Sequence, residues 1–369
     1  MPCAASFDNE EVPHDLMIKQ LLKWLAWVVL TPIAALAIFL IYMTAADDKP
    51  PAQVELPTNN NTGSTLKRGQ PFTVTTFNLG YAGLDQGQDF FMDGGTMSRS
   101  RSKEQTEANL SAMADFLKDT RSDLYILQEV DVHSSRSHHI NQVQMISDSL
   151  PEYSSTFAYN YKVAWVPVPL THPMGAVQSG LLTLSKFHSR SHTRFDLPGK
   201  ESWPVQLFEL DRAFIESRFP VDNGKELVLI NLHLSAFDKG GTIRKQQLDF
   251  LGEYIQQEME KDNYLILGGD WNHALPGTDH RRFPSRQEWP QWLQPFPDTF
   301  APAGFQWAVD PGTPSVRTLD SAYRPGITFL AVIDGFLVSP NVEIAAVTGH
   351  ALNFENSDHN PVTGRFILK

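Results

Sequence analysis

The apolar run "YLILGGDWNH" gives out in Asp270, Asn272 and His273, a carboxylate, an amide and an imidazole close together. Other stretches carry the same kinds of group. "TTFNLG" has Asn78 near its end, "LYILQEVD" has Glu129, and "VIDGFL" carries Asp334 inside it. "LVLINLHLSAF" holds His233, and "NSDHNPV" sets Asp358 beside His359. Taken singly, an acid or amide at a strand end is an ordinary turn residue. A carboxylate inside an apolar run is different, because burying it is costly unless it is paired or bound to a cation. Strand ends on one edge of a sheet also converge in space. Together these groups describe a hard-oxygen cation site with a base beside it.

Positioning them requires a scaffold of strands. From Pro71 onward, strand-like runs such as "FTVTTFNLG", "SDLYILQEV", "SGLLTLSKF" and "KELVLINLHLSAF" are mixed with a few helical ones. "SKEQTEANLSAMADFLKD" spaces Leu110, Met113, Phe116 and Leu117 as a helix does, with Ser102 as its N-cap, and a second helix is predicted through "TIRKQQLDFLGEYIQQEMEKD". Hairpin-like strands among helices predict a layered α/β (α+β) arrangement with mixed or antiparallel sheets. Residues 274–327 are rich in Pro, Trp and Arg and read as long loops.

The N-terminal region is a separate matter. "WLAWVVLTPIAALAIFLIYM", Trp24 to Met43, is free of charge and spans the ~20 residues that a bilayer core requires. It predicts a single-pass anchor over residues 24–45, preceded by a cytoplasmic tail over 1–23. Lys19 and Lys23 outnumber Lys49 across it, which favours an inside N-terminus and an exported main domain. Residues 46–70, rich in Pro, Asn, Thr and Gly, read as a flexible linker, leaving 71–369 as the catalytic domain. The formal net charge of −12 is not that of a protein held on nucleic acid by charge alone. With Cys3 as the sole cysteine, an intrachain disulfide, a Cys-based zinc site and a thiol nucleophile in the main domain are excluded.

In that order, "FN…QE…NLH…GDWN…IDGF…SDHNP" resembles the endonuclease/exonuclease/phosphatase superfamily over about Phe72 to Lys369. The resemblance implies a four-layer sandwich, two packed β-sheets with helices outside, and hydrolysis of a phosphoester with Mg²⁺ (or Mn²⁺). It implies Glu129 as the principal metal ligand, with Asn78 and Asp358 near the same ion. It makes His359 the general base or the imidazolium that stabilises the phosphorane, with Asp334 orienting it. Asp270 would align or deprotonate the attacking water, while Asn272 and His233 hold phosphate oxygens. Arg212 is a weaker phosphate-binding candidate. Trp271 stands where a smaller apolar residue is commoner and is expected to shape the substrate pocket. Some relatives have an acid two residues after the first Asn; Gly80 is there in this chain, which argues for one ion. Such chemistry suits these residue types, since attack at phosphorus builds charge on oxygens and needs a cation and donors rather than a covalent nucleophile.

The resemblance leaves the substrate open. A nucleic-acid phosphodiester is the first expectation, a phospholipid headgroup at the anchoring bilayer the alternative, and an inactive tethered binding module a third reading. "SKFHSRSHTRF" puts Lys186, His188, Arg190, His192 and Arg194 at alternate positions, either as a track for phosphates or as a solvated edge strand. "YNYKVAWVPVPLTHPMG" reads as an aromatic, Pro-rich loop fit for base stacking, for a bilayer, or for plain core packing.

Overall fold

The computed structural model describes residues 14–236, 238 and 240–369, and the chain divides after Asp47. Cys3 and most of the expected tail lie outside the described residues. In the first unit the described residues form the helix α1 (His14–Ala46), so residues 14–23 of the expected tail are helical as well. Met17–Ala46 contains an 18-residue stretch with a mean hydropathy of 2.4 and is long and apolar enough to cross a membrane, as a single-pass anchor or a signal sequence is. Pro32 lies inside it.

The second unit, Asp48–Lys369, holds the remaining elements. They begin with β1 (Gln53–Glu55), β2 (Pro71–Asn78), α2 (Lys103–Thr120), β3 (Leu124–Asp131), α3 (Gln142–Ser149), β4 (Ser154–Val166) and β5 (Gly175–Ser185). Then come β6 (Ser191–Asp196), β7 (Ala213–Pro220), β8 (Glu226–His233), α4 (Thr242–Met259) and β9 (Tyr264–Asp270). The short β10 (His273–Ala274), β11 (Gln294–Pro295), β12 (Gln306–Ala308), β13 (Val316–Arg317) and β14 (Leu330–Ala331) precede β15 (Asp334–Val338), β16 (Val342–Gly349) and β17 (Val362–Leu368). One sheet is ordered β1-β6-β7-β8-β9-β15-β12 and the other β16-β17-β2-β3-β5-β4. Within them only β2–β3 and β8–β9 pair in parallel. Parallel neighbours need a long crossover, and α2 and α4 lie in those crossovers.

Alternation along the strands builds the layers. Val74, Ile126, Leu229, Ile266, Phe336 and Phe366 meet between the sheets. Tyr125 and Leu127 face the other way, onto Leu110, Met113 and Leu117 of α2. Val228, Ile230 and Leu265 pack against Leu248, Leu251 and Ile255 of α4. Strands buried on both faces read as continuous apolar runs, which is why "LYIL" and "YLIL" show no polar alternation. The result is four layers, helix–sheet–sheet–helix. Ser102 caps α2 as its sequence predicts, its side chain accepting from Gln105 N at 3.1 Å.

Three local readings change. The expected linker over 46–70 is laid on the domain: Gln53–Glu55 pairs antiparallel with β6, and Leu66 is buried beside Val221. Its Pro and Asn residues mark turns between short extended pieces, and those pieces occupy an otherwise open sheet edge. The alternating cations do not share a face. Lys186 donates to Arg121 O and Arg190 pairs with Glu226, but His192 and Arg194 are buried in β6. The irregular backbone before Ser191 breaks the phase, and β1 covers the edge. Lastly, most of the aromatic, Pro-rich stretch is strand: β4 runs on to Val166 and leaves only 167–174 as a hairpin tip.

His192 lies between Ser217 Oγ and Ser189 Oγ, both at 2.8 Å. Burial lowers its pKa to about 4. A histidine held neutral in the fold protonates first in the unfolded chain, so its contribution is intact above pH ~6.5 and is lost as pH falls toward 4. Relative to wild type, His192→Gln is expected to flatten the pH dependence of unfolding free energy across that window by roughly 3 kcal/mol. Urea titrations at a series of pH values measure it; equal slopes for both proteins would refute the assignment.

Candidate active site

Strand pairing places the chemistry on one rim. In the parallel β8–β9 pair His233 stands opposite Asp270, and β15 runs back with Asp334 opposite Asp270. These three side chains therefore form a row across adjacent strands. In the other sheet Asn78 ends β2 opposite Gln128 of β3. The antiparallel return of β17 begins just after Asp358 and His359 and delivers them to the same rim. Asn78 joins the two sheets: its amide nitrogen donates to Asp270 Oδ2 at 2.9 Å and to Glu129 Oε1 at 3.3 Å.

Glu129 points there because the strand breaks step. Between Leu127–Leu182 and Val130–Gly180, two residues of β3 oppose one of β5, a β-bulge, and Glu129 has φ 52°. A bulge re-aims a side chain off the regular pleat. Asn272 also has positive φ, 50°, in the tight turn after β9. Its backbone N–H donates to Asp270 Oδ1 at 2.9 Å, and its side-chain nitrogen to Leu234 O at 2.7 Å. Part of the amide expected to hold a phosphate oxygen is thus already engaged.

Gly80 explains itself. Its φ is +50°, and a Cβ there would stand 2.6 Å from Asp358 Oδ1. Its N–H donates to Asn78 Oδ1 at 3.0 Å. An acid at this position would collide with Asp358, so the departure noted in the sequence leaves room for that carboxylate.

His359 Nδ1 is bonded to Asp334 Oδ2 at 2.8 Å, and its Nε2 lies 3.7 Å from Asp270 Oδ2. Burial opposes charge on this imidazole, but Asp334, Asp270 and Asp358 outweigh it and raise its pKa to about 10. Burial raises Asp270 to about 7 against the pull of His359, and raises Asp358 to about 6. His233 Nε2 lies 3.4 Å from Asp270 Oδ2; burial, then Arg212 and His359, push its pKa well down and keep the ring neutral. Arg212 lines the same cleft with His233 O at 3.5 Å and, among the described residues, has no carboxylate within ion-pair distance.

The cleft brings together Glu129, Arg212, His233, Asp270, Asn272, Asp358 and His359, with Asn78 and Asp334 directly behind them. Trp271 is not among them. Its side chain points back into the core against Phe296 and Trp307, with Nε1 on Gly335 O at 3.1 Å, so the expected substrate contact is corrected to a packing role. Consecutive strand residues face opposite sides, and Asp270 takes the rim. Arg136 and Tyr81 were not anticipated. Arg136 is buried, bidentate to Asp131 and 3.8 Å from Glu129 Oε2, with its guanidinium 4.0 Å from the Tyr81 ring centre. The available signal was Asp131 itself, an acid ending an apolar run and needing a cation.

For a divalent ion the donor set fits. Asp270, Asp334 and His359 offer ligand atoms within 4.8 Å of one another, but His359 is tied to Asp334. The hard oxygens of Glu129 and Asp358 suit Mg²⁺ better. Burial has raised Asp358 and Asp270, the condition a cation relieves.

Residues 75–359 match the model of the Endonuclease/Exonuclease/phosphatase family, and the chain belongs to that family. It is 25% identical over 170 residues to a UPF0294 protein of Erwinia tasmaniensis, covering 46% of this chain and 52% of that one. With a UPF0294 protein of Yersinia enterocolitica the identity is 26% over 175 residues, covering 46% and 54%. The chain spans about half the length of the curated relatives it matches. Among solved structures, an endonuclease/exonuclease/phosphatase of Beutenbergia cavernae aligns with a TM-score of 0.53 at 16% identity, over 81% of this chain and 72% of that one. One of Bacteroides vulgatus aligns at 0.52 and 19%, over 81% and 100%. ANGEL2, a 2′,3′-cyclic phosphatase, aligns at 0.53 and 15%, over 85% and 99%. At these identities the likeness is one of fold.

Gly80→Ala is expected to lower stability by about 1–2 kcal/mol from its left-handed backbone alone. It should also weaken divalent-ion binding by displacing Asp358. Urea unfolding and calorimetric Mn²⁺ titration check both; an alanine variant that binds Mn²⁺ like wild type would sink this account of the glycine.

Proposed function

We propose that this chain is a Mg²⁺- or Mn²⁺-dependent phosphodiesterase that directs water at phosphorus, with its catalytic unit on the exported side of the membrane. The observation that carries it is the Asp334–His359 pair facing Asp270, across a cleft from Glu129. In this reading Glu129 and Asp358 hold one ion, and Asn78 fixes Glu129 and Asp270 by donating to both. When bound, the ion neutralises charge developing on the phosphoryl oxygens. Asp270 orients the attacking water and accepts its proton. A P–O bond forms to that water, the bond to the leaving alcohol breaks, and the leaving oxygen takes its proton from solvent. Asp334 holds His359 so that Nε2 donates to a phosphoryl oxygen. His233, Arg212 and the free part of the Asn272 amide supply further donors.

The substrate that suits the cleft is a phosphoester on an apolar body. Phe90, Phe91, Met92, Val166, Met174 and Leu319 line its walls. Its other cations are committed: Arg136 to Asp131, Lys200 to Asp211 at 2.7 Å, and Arg317 to backbone carbonyls including Asp85 O at 2.8 Å. A nucleic-acid backbone calls for a row of free cations, and the run that promised one is broken up: His192 and Arg194 are buried, and Arg190 is paired with Glu226. A lipid headgroup phosphodiester is therefore preferred over a nucleic acid.

Hydrolysis of bis(p-nitrophenyl) phosphate should require Mg²⁺ or Mn²⁺ and stop in EDTA. Asp334→Asn is expected to reduce kcat by about 10²–10⁴-fold through loss of the oriented imidazole. Glu129→Gln should weaken the apparent metal affinity by about 10–100-fold or more. Turnover that survives EDTA would remove the metal from the mechanism. Plasmid cleavage faster than turnover of phospholipid in vesicles would restore the nucleic-acid reading.

A further inference from the structure

The hairpin tip between β4 and β5 is apolar and exposed. Leu170 is 86% exposed, Val168 43% and Trp165 39%. Val205, 47% exposed, stands on the neighbouring short helix Val205–Phe208, which β4 holds through Tyr161 Oη donating to Phe208 O at 2.9 Å. A cluster of large apolar side chains this exposed marks an interaction surface. Val168 and Phe208 also line the catalytic cleft, so the patch forms part of its mouth.

Chain connectivity supplies the occupant. Asp48, the first residue of the catalytic unit, is ion-paired with Lys162 of β4 at 3.1 Å, three residues before Trp165. The chain therefore enters this unit beside the hairpin. The residues just before it close a helix apolar enough to cross a membrane. We infer that the Trp165–Leu170 tip, with Val205, is a bilayer-inserting lip that presents the cleft mouth to phospholipid headgroups. The Trp ring suits the interfacial region, and Leu170 and Val168 gain by leaving water. The substrate half of this inference rests on the phosphodiesterase reading; the insertion half does not.

The test uses the full chain in phosphatidylcholine/phosphatidylglycerol nanodiscs. Cys3→Ser supplies a thiol-free background for an environment-sensitive fluorophore at Leu170→Cys or, as control, at Glu152→Cys. Glu152 precedes the far end of β4, roughly 40 Å away at strand rise. Emission from position 170 should shift to the blue and be quenched by nitroxide lipids, while position 152 stays as in water. Equal exposure of the two sites would overturn the inference. Leu170→Glu should then cut kcat/KM on bilayer phospholipid by about 10-fold or more, leaving soluble bis(p-nitrophenyl) phosphate turnover unchanged. Parallel loss on both substrates would overturn the substrate half. Insertion with no turnover of either substrate would refute the phosphodiesterase reading and leave the lip standing.

Discussion

Everything at the rim answers to the cost of crowding carboxylates where water is scarce. Asp270, Asp334 and Asp358 are buried, and Glu129 joins them with only part of its side chain exposed. Like charges at such range cannot all stay ionised without compensation. The protein supplies some of it. The Asn78 amide donates to two of the acids, His359 sits between Asp334 and Asp270, and Arg136 flanks Glu129. None of these leaves Asp358 with a full counter-charge: Arg317 and His359 draw its pKa down, yet burial holds it above the ordinary carboxylate value. A site built this way has the charge and the hard oxygens to take a divalent cation.

The scaffold meets that demand through pairing geometry. Two parallel strand pairs, one per sheet, point their C-terminal ends the same way, and two antiparallel returns bring Asp334 and Asp358–His359 back to meet them. Register does the fine placement. A one-residue slip of β15 would turn Asp334 into the wrong face and leave His359 without its partner. Where regular geometry fails to aim a group, the backbone departs from it, at Glu129, Asn272 and Gly80, each with positive φ. Two of these are not glycine, and such conformations persist only where surrounding structure over-determines them.

Much of this was legible beforehand because apolar runs ending in polar residues announce both a buried strand and a group that must be paired. Asn78, Glu129, His233, Asp270, Asp334, Asp358 and His359 are all marked that way or by the motif order, and the structure brings them to one rim. What stayed hidden depends on side-chain direction or distant pairing. Trp271 adjoins Asp270, yet the pleat sends it to the core. The residues 186–194 alternate on paper, but the strand starts only at Ser191. Residues 53–55 have turn-rich flanks, and the edge they cover lies more than a hundred residues away at β6. Arg136 carries no mark of its own in the sequence; Asp131 announces that some cation is needed, and only the fold says which one faces it.

Arg136 shows how such hidden residues bear on the site. Its bidentate bond to Asp131 closes a six-residue loop, 131–136, directly after the bulge, and Ser137 Oγ donates to the same carboxylate at 2.7 Å. Tyr81 and Tyr161 flank the guanidinium at 4.0 and 5.7 Å, shutting out water. A buried ion pair adds little net stability, because desolvating both charges cancels most of their attraction. Its geometry is another matter, since a planar fork accepts a carboxylate in few orientations. Asp131 held in this fork leaves the bulged backbone little choice of path, and Glu129 is the residue that path aims. The same guanidinium sets a positive charge 3.8 Å from Glu129 Oε2. Arg136 thus acts on the cleft through Asp131 and Glu129, fixing where the carboxylate points while the sheets fix where it stands.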